Sequence, residues 1–270
     1  MFLIFDTYGG LCNQMYDIQC AINFCKMHNI EFSFRYACLR EKNDLTKWYD
    51  IKFKDLFSDK FITNHLYIPY DKLDCNVENT HLFNNKIRCI EWLNKERALL
   101  PQLDRIKKKY IVLRQFWSIF NNMENENIYH LILPCKKITK IYNEIKKQLP
   151  EQYNFLHYRY EDDFIAHFNI KKHPKLCRLI DVNLFKKKEE KIYVAAYNIQ
   201  NIPRKYLTLP IVDFKNIVYK NDDFSEFLNF EELAFIDFLI GKHALEVYGH
   251  SKSSFSTLLN SVHGTSNYYN

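Results

Sequence analysis

The chain has 270 residues, of which 47 % are hydrophobic, 16 % aromatic and 26 % charged, and its net charge is +6. This composition excludes a disordered chain and supplies a core for one large domain or two small ones. The lysines are dispersed and form no basic stripe, so the net positive charge alone is weak evidence for nucleic-acid binding. We therefore predict no nucleic-acid partner.

The eight cysteines are irregularly spaced and form no C-x-x-C pair, which argues against a zinc knuckle or a redox motif. The sequence shows no secretory leader and no apolar run near the ~18 residues of a membrane span. We expect reduced thiols, a cytoplasmic protein and no membrane span.

The first 36 residues predict a strand, a loop, a helix and a second strand. Phe2–Phe5 is a short apolar run, Asn13–His28 has apolar residues at three-four spacing, and Glu31–Tyr36 alternates. The loop then lies at the carboxyl end of the first strand, where open α/β sheets bind ligands.

That loop holds two of the chain's 5 glycines, Gly9 and Gly10. A glycine pair between strand and helix lets the backbone and the first helical N–H groups approach a ligand. The dinucleotide fingerprint would need a third glycine near Gln14, and a P-loop would need Gly-Lys-Ser/Thr. A plain tight turn is the alternative, and spacing alone does not separate the two.

The centre of the chain is less regular. The run YIVLRQFWSIF predicts a strand or a helix, and the next helix is predicted to have Pro134 at its first position and to stop at Pro150. Its apolar residues form one stripe: Ile138, Ile141, Ile145 and Leu149. We interpret this helix as the link between two lobes, residues 1–135 and 136–270.

A second β/α alternation follows. Strands are predicted at 153–159, 191–198, 207–218 and 245–249, an amphipathic helix at Phe230–Gly241, and a final helix at Ser253–Val262 that could also pack back on the first lobe. The elements together predict an α/β protein of two lobes with a cleft between them.

Two further clusters have the chemistry of anion sites. The strand ending in His157-x-Arg159 places both side chains on one face, and an arginine fork suits two phosphate oxygens. An ion pair between Arg159 and the acidic run at 161–163 is the alternative.

The second cluster is YGHSKSSF, in which Gly249 follows a strand and Ser253 or Ser254 is a predicted N-cap. Its N–H groups and hydroxyls make either an anion site or an ordinary capped helix.

The order of these clusters along the chain resembles the order of motifs in a known protein family. GGLCNQ first, H-x-R-x-E-x-D in the middle and an Asp separated from SSF by fifteen residues resemble the GDP-fucose-dependent O-fucosyltransferase family. DLFSDKFI and KIYVAAYN resemble two further segments of that family in the same order. The resemblance spans most of the chain, although Leu11 and Cys12 stand where the family usually has small or basic residues.

The resemblance implies a GT-B-like fold with two Rossmann-like lobes facing a cleft. It implies an inverting, metal-independent glycosyltransferase that uses a nucleotide sugar, GDP-fucose first, and a hydroxyl of a glycan or protein as acceptor. No metal and no resident cofactor are expected.

The resemblance also implies roles for individual residues. In the second lobe these are Arg159 at the β-phosphate, His157 beside the donor, Asp237 at the nucleobase, and Ser253, Ser254 and Phe255 at the diphosphate. In the first lobe they are Gly9 and Gly10 near the sugar-diphosphate and Asn13 at the sugar and the attacking hydroxyl. Asp6 is the nearest carboxylate for a general base, with a structural role as its alternative. For Asp237 the alternative is a solvated residue on the exposed side of its helix.

Two other functions remain open at this point. One is the same scaffold with another donor such as UDP-xylose, and the other is a nucleotide-binding protein that has lost catalysis. The sequence does not name the acceptor.

Overall fold

The computed structural model describes residues 1–42, 44, 46–83, 95–114, 128–158, 191–196, 217–218 and 227–269. The chain divides into two compact units, residues 1–138 with 229–232 and residues 139–228 with 233–270. Each unit contains one five-stranded sheet, so the chain has the α/β class that the sequence predicts.

The strands are β1 (Phe2–Asp6), β2 (Glu31–Arg40), β3 (Trp48–Lys52), β4 (Phe57–Ser58), β5 (Thr80–Leu82), β6 (Tyr110–Arg114), β7 (Leu133–Pro134), β8 (Tyr153–His157), β9 (Lys191–Ala195), β10 (Ile217–Val218), β11 (Val247–His250) and β12 (Tyr268–Tyr269). The α-helices are α1 (Leu11–His28), α2 (Phe53–Leu56), α3 (Lys95–Leu103), α4 (Lys136–Lys146), α5 (Phe230–Lys242) and α6 (Ser254–His263).

The sheet of the first unit has the order β3-β2-β1-β6-β5. Its strands are parallel except β3, which pairs antiparallel with the end of β2. All five residues of β1 are buried, because both faces of this central strand are covered, and this explains its continuous apolar sequence. On one face Phe2 and Ile4 pack with Tyr110 and Val112 of β6.

The sheet of the second unit has the order β10-β9-β8-β11-β12, with every pair parallel. Phe155 of β8 and Tyr193 of β9 stack with their ring centroids 5.6 Å apart in the core. The predicted strand over 207–218 is described at Ile217–Val218, and its remainder lies outside the described residues.

Helix α5 corrects one prediction. The helix itself is present, but its two N-terminal glutamates and its central Asp237 are buried together with its apolar residues. It is therefore a buried helix rather than an amphipathic surface helix, since the elements around it cover most of its circumference.

Pro134 is also placed differently from the prediction. It lies in β7, which pairs with β4, and the following N–H of Cys135 donates to Leu56 O at 2.9 Å. The backbone stays extended up to that bond, so α4 begins at Lys136. Of its predicted apolar stripe, Ile138 and Ile145 are buried and Ile141 is half-buried, whereas Leu149 lies beyond the end of the helix at Lys146, before the predicted stop at Pro150.

Among the residues that the structure describes, no helix combines the length and the apolarity needed to cross a membrane.

Candidate functional site

The glycine loop joins β1 to α1 at the carboxyl end of the first sheet. Gly9 has φ +93°, a conformation that favours glycine. A Cβ at Gly10 would meet nothing nearer than Arg40 Nη2 at 3.9 Å. The space beside Gly10 is therefore open, and its backbone can be approached closely.

Gln14 fixes this loop to β2. Its amide nitrogen donates to the carbonyl oxygens of Gly9 and Cys38, both at 2.8 Å. Its amide oxygen accepts from the Thr7 hydroxyl at 2.8 Å and from the Cys38 N–H at 3.1 Å. Gln14 is completely buried. Both of its amide protons and both lone pairs of its amide oxygen form hydrogen bonds with the loop and with β2.

Replacing Thr7 with valine tests this network, because valine keeps the shape and removes one buried hydrogen bond. We expect the free energy of unfolding to fall by about 1 kcal/mol. Urea denaturation measures it, with Thr46→Val at an exposed hydroxyl as the matched control. Equal stabilities of the two variants would contradict a structural role for the network.

The thiol of Cys38 lies under the glycine loop. The Gly9 N–H donates to its sulfur at 3.2 Å, and burial raises the pKa of the thiol to about 12. The thiol therefore stays protonated near neutral pH and contributes packing and a hydrogen bond rather than a nucleophile.

Arg40 places a cation beside Gly10. Its Nε donates to Glu231 Oε1 at 2.7 Å, and its backbone N–H donates to Oε2 at 2.9 Å. The guanidinium carbon lies 3.7 Å from the ring centroid of Phe230 and 5.2 Å from that of Trp48. Glu231 is completely buried, so this ion pair anchors the end of β2.

Asp6 and Asn13 are the two other residues of the first unit that the sequence predicts for the site, and their contacts differ. Asp6 is buried, and its oxygens accept from Arg35 Nε at 2.9 Å and Nη2 at 2.5 Å. Asn13 is half-buried next to Gly9, and its side-chain amide has no hydrogen-bond partner among the described residues. Asp6 is therefore engaged in an ion pair, whereas the amide of Asn13 is available to a ligand.

In the second unit the structure brings His157 against the first turn of α6. The His157 ring lies 4.4 Å from the Phe255 ring, centroid to centroid. Its Nδ1 is 2.8 Å from Ser256 Oγ. The predicted histidine and the predicted serine-rich turn thus form one cluster.

Ser253 is the N-cap residue of α6, but its side chain makes no capping hydrogen bond. It is 1 % exposed, and its hydroxyl has no partner among the described residues. Ser254, the next residue, is exposed. The helix therefore starts with a buried unpartnered hydroxyl, which an ordinary capped helix would not leave.

Asp237 is buried and accepts a hydrogen bond from the Tyr193 hydroxyl at 2.7 Å through Oδ1. The alternative of a solvated residue on an exposed helix face is therefore wrong. Its carboxylate is oriented by β9 across the core of the second unit.

Arg159 lies outside the described residues, as do the acidic runs at 161–163 and 221–223. Within the described ranges, no three His, Cys, Asp or Glu side chains come together in a group that could hold a metal ion.

The two units, one with a mostly parallel and one with a parallel five-stranded sheet, have a GT-B-like α/β fold, and solved structures of fucosyltransferases share it. NodZ from Bradyrhizobium is 13 % identical with a TM-score of 0.55, over 96 % of this chain and 91 % of that one. POFUT1 in complex with GDP is 11 % identical with a TM-score of 0.57, over 99 % and 98 %. Arabidopsis thaliana FUT1 is 10 % identical with a TM-score of 0.52, over 98 % and 69 %.

No protein-family model matches the chain, and no curated protein matches it either. The likeness to the three fucosyltransferases therefore concerns the fold.

Proposed function

We propose that the chain is a glycosyltransferase that moves a sugar from a nucleotide-diphosphate donor, GDP-fucose first, to a hydroxyl of a glycan or protein. Solved structures include NodZ soaked with GDP-fucose and POFUT1 in complex with GDP and with GDP-fucose. A shared fold supports this only by analogy, since one fold hosts many functions. The proposal therefore depends on the side chains and N–H groups of the candidate site itself.

The observation that carries it is the start of α6. The buried hydroxyl of Ser253 has no hydrogen-bond partner within the described part of the chain, and the first N–H groups of a helix have no intrahelical acceptor. Hydroxyl and N–H donors at a helix N-terminus suit a diphosphate. We assign Ser253, Ser254 and Phe255 to the diphosphate, with His157 beside the donor and Asp237 at the nucleobase.

In the first unit we assign the glycine loop to the sugar-diphosphate and Asn13 to the sugar and the attacking hydroxyl. Support comes from the open space beside Gly10 and from the half-buried side chain of Asn13 next to Gly9, for which no hydrogen bond occurs among the residues that the structure describes. Asp6 enters as a general-base candidate through its position at the end of β1, and its ion pair with Arg35 favours the structural alternative.

The chemistry follows from where charge develops. As the sugar–phosphate bond breaks, negative charge grows on the diphosphate, and preorganised donors aimed there lower the barrier. We assign the largest part of this charge stabilisation to Arg159, because its planar guanidinium suits two phosphate oxygens. With these donors in place, attack by an aligned hydroxyl from the opposite face inverts the anomeric centre without a divalent cation.

A thermal-shift screen in EDTA tests the proposal, with GDP, UDP, TDP and their sugars as ligands. A ligand at 100 times its Kd adds about 2.7 kcal/mol of stability. We expect GDP and GDP-fucose to stabilise the protein most. Stronger stabilisation by UDP would assign another donor to the scaffold, and no shift with any nucleotide would overturn the proposed function. A shift that requires Mn²⁺ or Mg²⁺ would contradict metal independence.

A further inference from the structure

Ser256 lies one turn into α6, between a glycine and a histidine from two neighbouring strands. It has no exposed surface. Its Oγ is 2.8 Å from His157 Nδ1 and 3.0 Å from the His250 backbone nitrogen, which donates to it. We propose that Ser256 is a positioning residue that holds the neutral His157 ring in its Nε2–H tautomer.

The proposal follows from counting donors and acceptors at the hydroxyl. A serine hydroxyl has one proton to donate and two lone pairs to accept with. The His250 N–H uses one lone pair, and among the described residues His157 Nδ1 is the sole acceptor within reach of the proton. Because Ser256 is completely buried, water cannot take that proton instead.

The opposite arrangement leaves a group unsatisfied. If His157 carried its proton on Nδ1, it would donate to Ser256 Oγ, and the hydroxyl proton of Ser256 would lose its acceptor. An unmade hydrogen bond of a buried donor costs its full desolvation penalty. Ser256 therefore donates, Nδ1 accepts, and the ring proton lies on Nε2.

Gly249 makes this contact possible. A Cβ added at Gly249 would lie 2.3 Å from Ser256 Oγ and 2.5 Å from Ser256 Cβ. The turn after Gly249 is fixed as well, because the Lys252 N–H donates to His250 Nδ1 at 3.0 Å. The glycine and the turn together hold Ser256 at hydrogen-bonding distance from His157.

The consequence for catalysis rests on the proposed function. The hydrogen bond at one imidazole nitrogen decides which nitrogen carries the proton. With Nδ1 used by Ser256, Nε2 is an N–H donor, the form suited to an oxygen of the sugar-diphosphate rather than to proton abstraction. Ser256 thus sets the chemical role of His157 without touching the donor.

Nitrogen NMR of the intact protein, labelled with ¹⁵N-histidine and measured above the titration of the ring, tests the tautomer directly. We expect a pyrrole-type Nε2 with a bonded proton and a pyridine-type Nδ1 shifted by a hydrogen bond for His157. A proton on Nδ1 would overturn the proposal. This readout needs no nucleotide, so it is independent of the proposed function.

Two variants separate positioning from folding. Ser256→Ala removes the hydroxyl, and Gly249→Ala keeps it but displaces it, so both should remove the hydrogen-bond shift of Nδ1. Ser261→Ala, exposed on the same helix, is the matched control and should leave the shift unchanged. We expect Ser256→Ala to lower kcat with GDP-fucose about tenfold with a smaller change in KM, because a misplaced donor stabilises less charge. An unchanged Nδ1 signal in folded Ser256→Ala would overturn the proposal.

Discussion

Replacing Glu231 with alanine is expected to lower the free energy of unfolding by about 3–5 kcal/mol, because it leaves the Arg40 guanidinium buried without its counter-charge. The side chain of Glu231 is fully buried and that of Arg40 is 11 % exposed. The carboxylate also accepts the backbone N–H of Arg40 at 2.9 Å. One substitution therefore removes the ion pair and a main-chain hydrogen bond at the end of β2.

Denaturation followed by circular dichroism measures this loss. The matched control is Asp71→Ala, which breaks an ion pair with Lys54 in the same unit whose two side chains are 64 % and 60 % exposed. Exposed pairs contribute about 0–1 kcal/mol, so the control should unfold nearly as the unmodified protein does. A similar small loss in both variants would contradict the anchoring role of Glu231.

Replacing Arg159 with lysine is expected to reduce turnover of GDP-fucose by ~10²-fold or more while the fold persists. Lysine keeps the charge but cannot present two parallel N–H donors to a diphosphate. The prediction rests on the His157-x-Arg159 pattern, whose histidine ends β8, and on the family resemblance, since Arg159 lies outside the described residues.

Release of GDP from GDP-fucose measures the effect, and circular dichroism checks that the variant folds. Arg105→Lys, at an exposed position of the first unit, makes the same exchange as a control and should keep full activity. Near-normal turnover of the Arg159→Lys protein would remove Arg159 from the site.

The parts of the fold that depend on local pattern were predictable. The apolar run at β1, the three-four spacing of α1 and the strand ending at His157 each carry their signal within a few residues. The glycine loop was predictable for the same reason, because φ +93° at Gly9 needs glycine.

Contacts between distant segments were not predictable. Arg40 and Glu231 are separated by 191 residues, and nothing in either local sequence indicates the other. The burial of Asp237 was not predictable, because the Tyr193 hydroxyl of β9 that donates to its carboxylate lies 44 positions away in the sequence. Pro134 was misplaced because its backbone conformation is set by pairing with β4.

The order of the motifs predicts Gly9, His157 and Ser253 as members of the site, and these assignments stay predictions. The residues that hold the site's loops and rings in place were not predictable. Gln14 lies inside the GGLCNQ motif and Ser256 directly follows SSF, yet their hydrogen-bond partners Cys38 and His157 are 24 and 99 positions away. A single sequence gives no signal for such pairs.

Calorimetric titration with GDP and UDP tests the central claim most directly. A carboxylate can accept both N1–H and N2–H₂ of guanine but only N3–H of uracil, a difference of about 1–3 kcal/mol. We predict that GDP binds at least about tenfold more tightly than UDP and that Asp237→Ala abolishes the difference in a protein that still folds. Tighter binding of UDP by the unmodified protein would contradict the assignment of GDP-fucose as the donor.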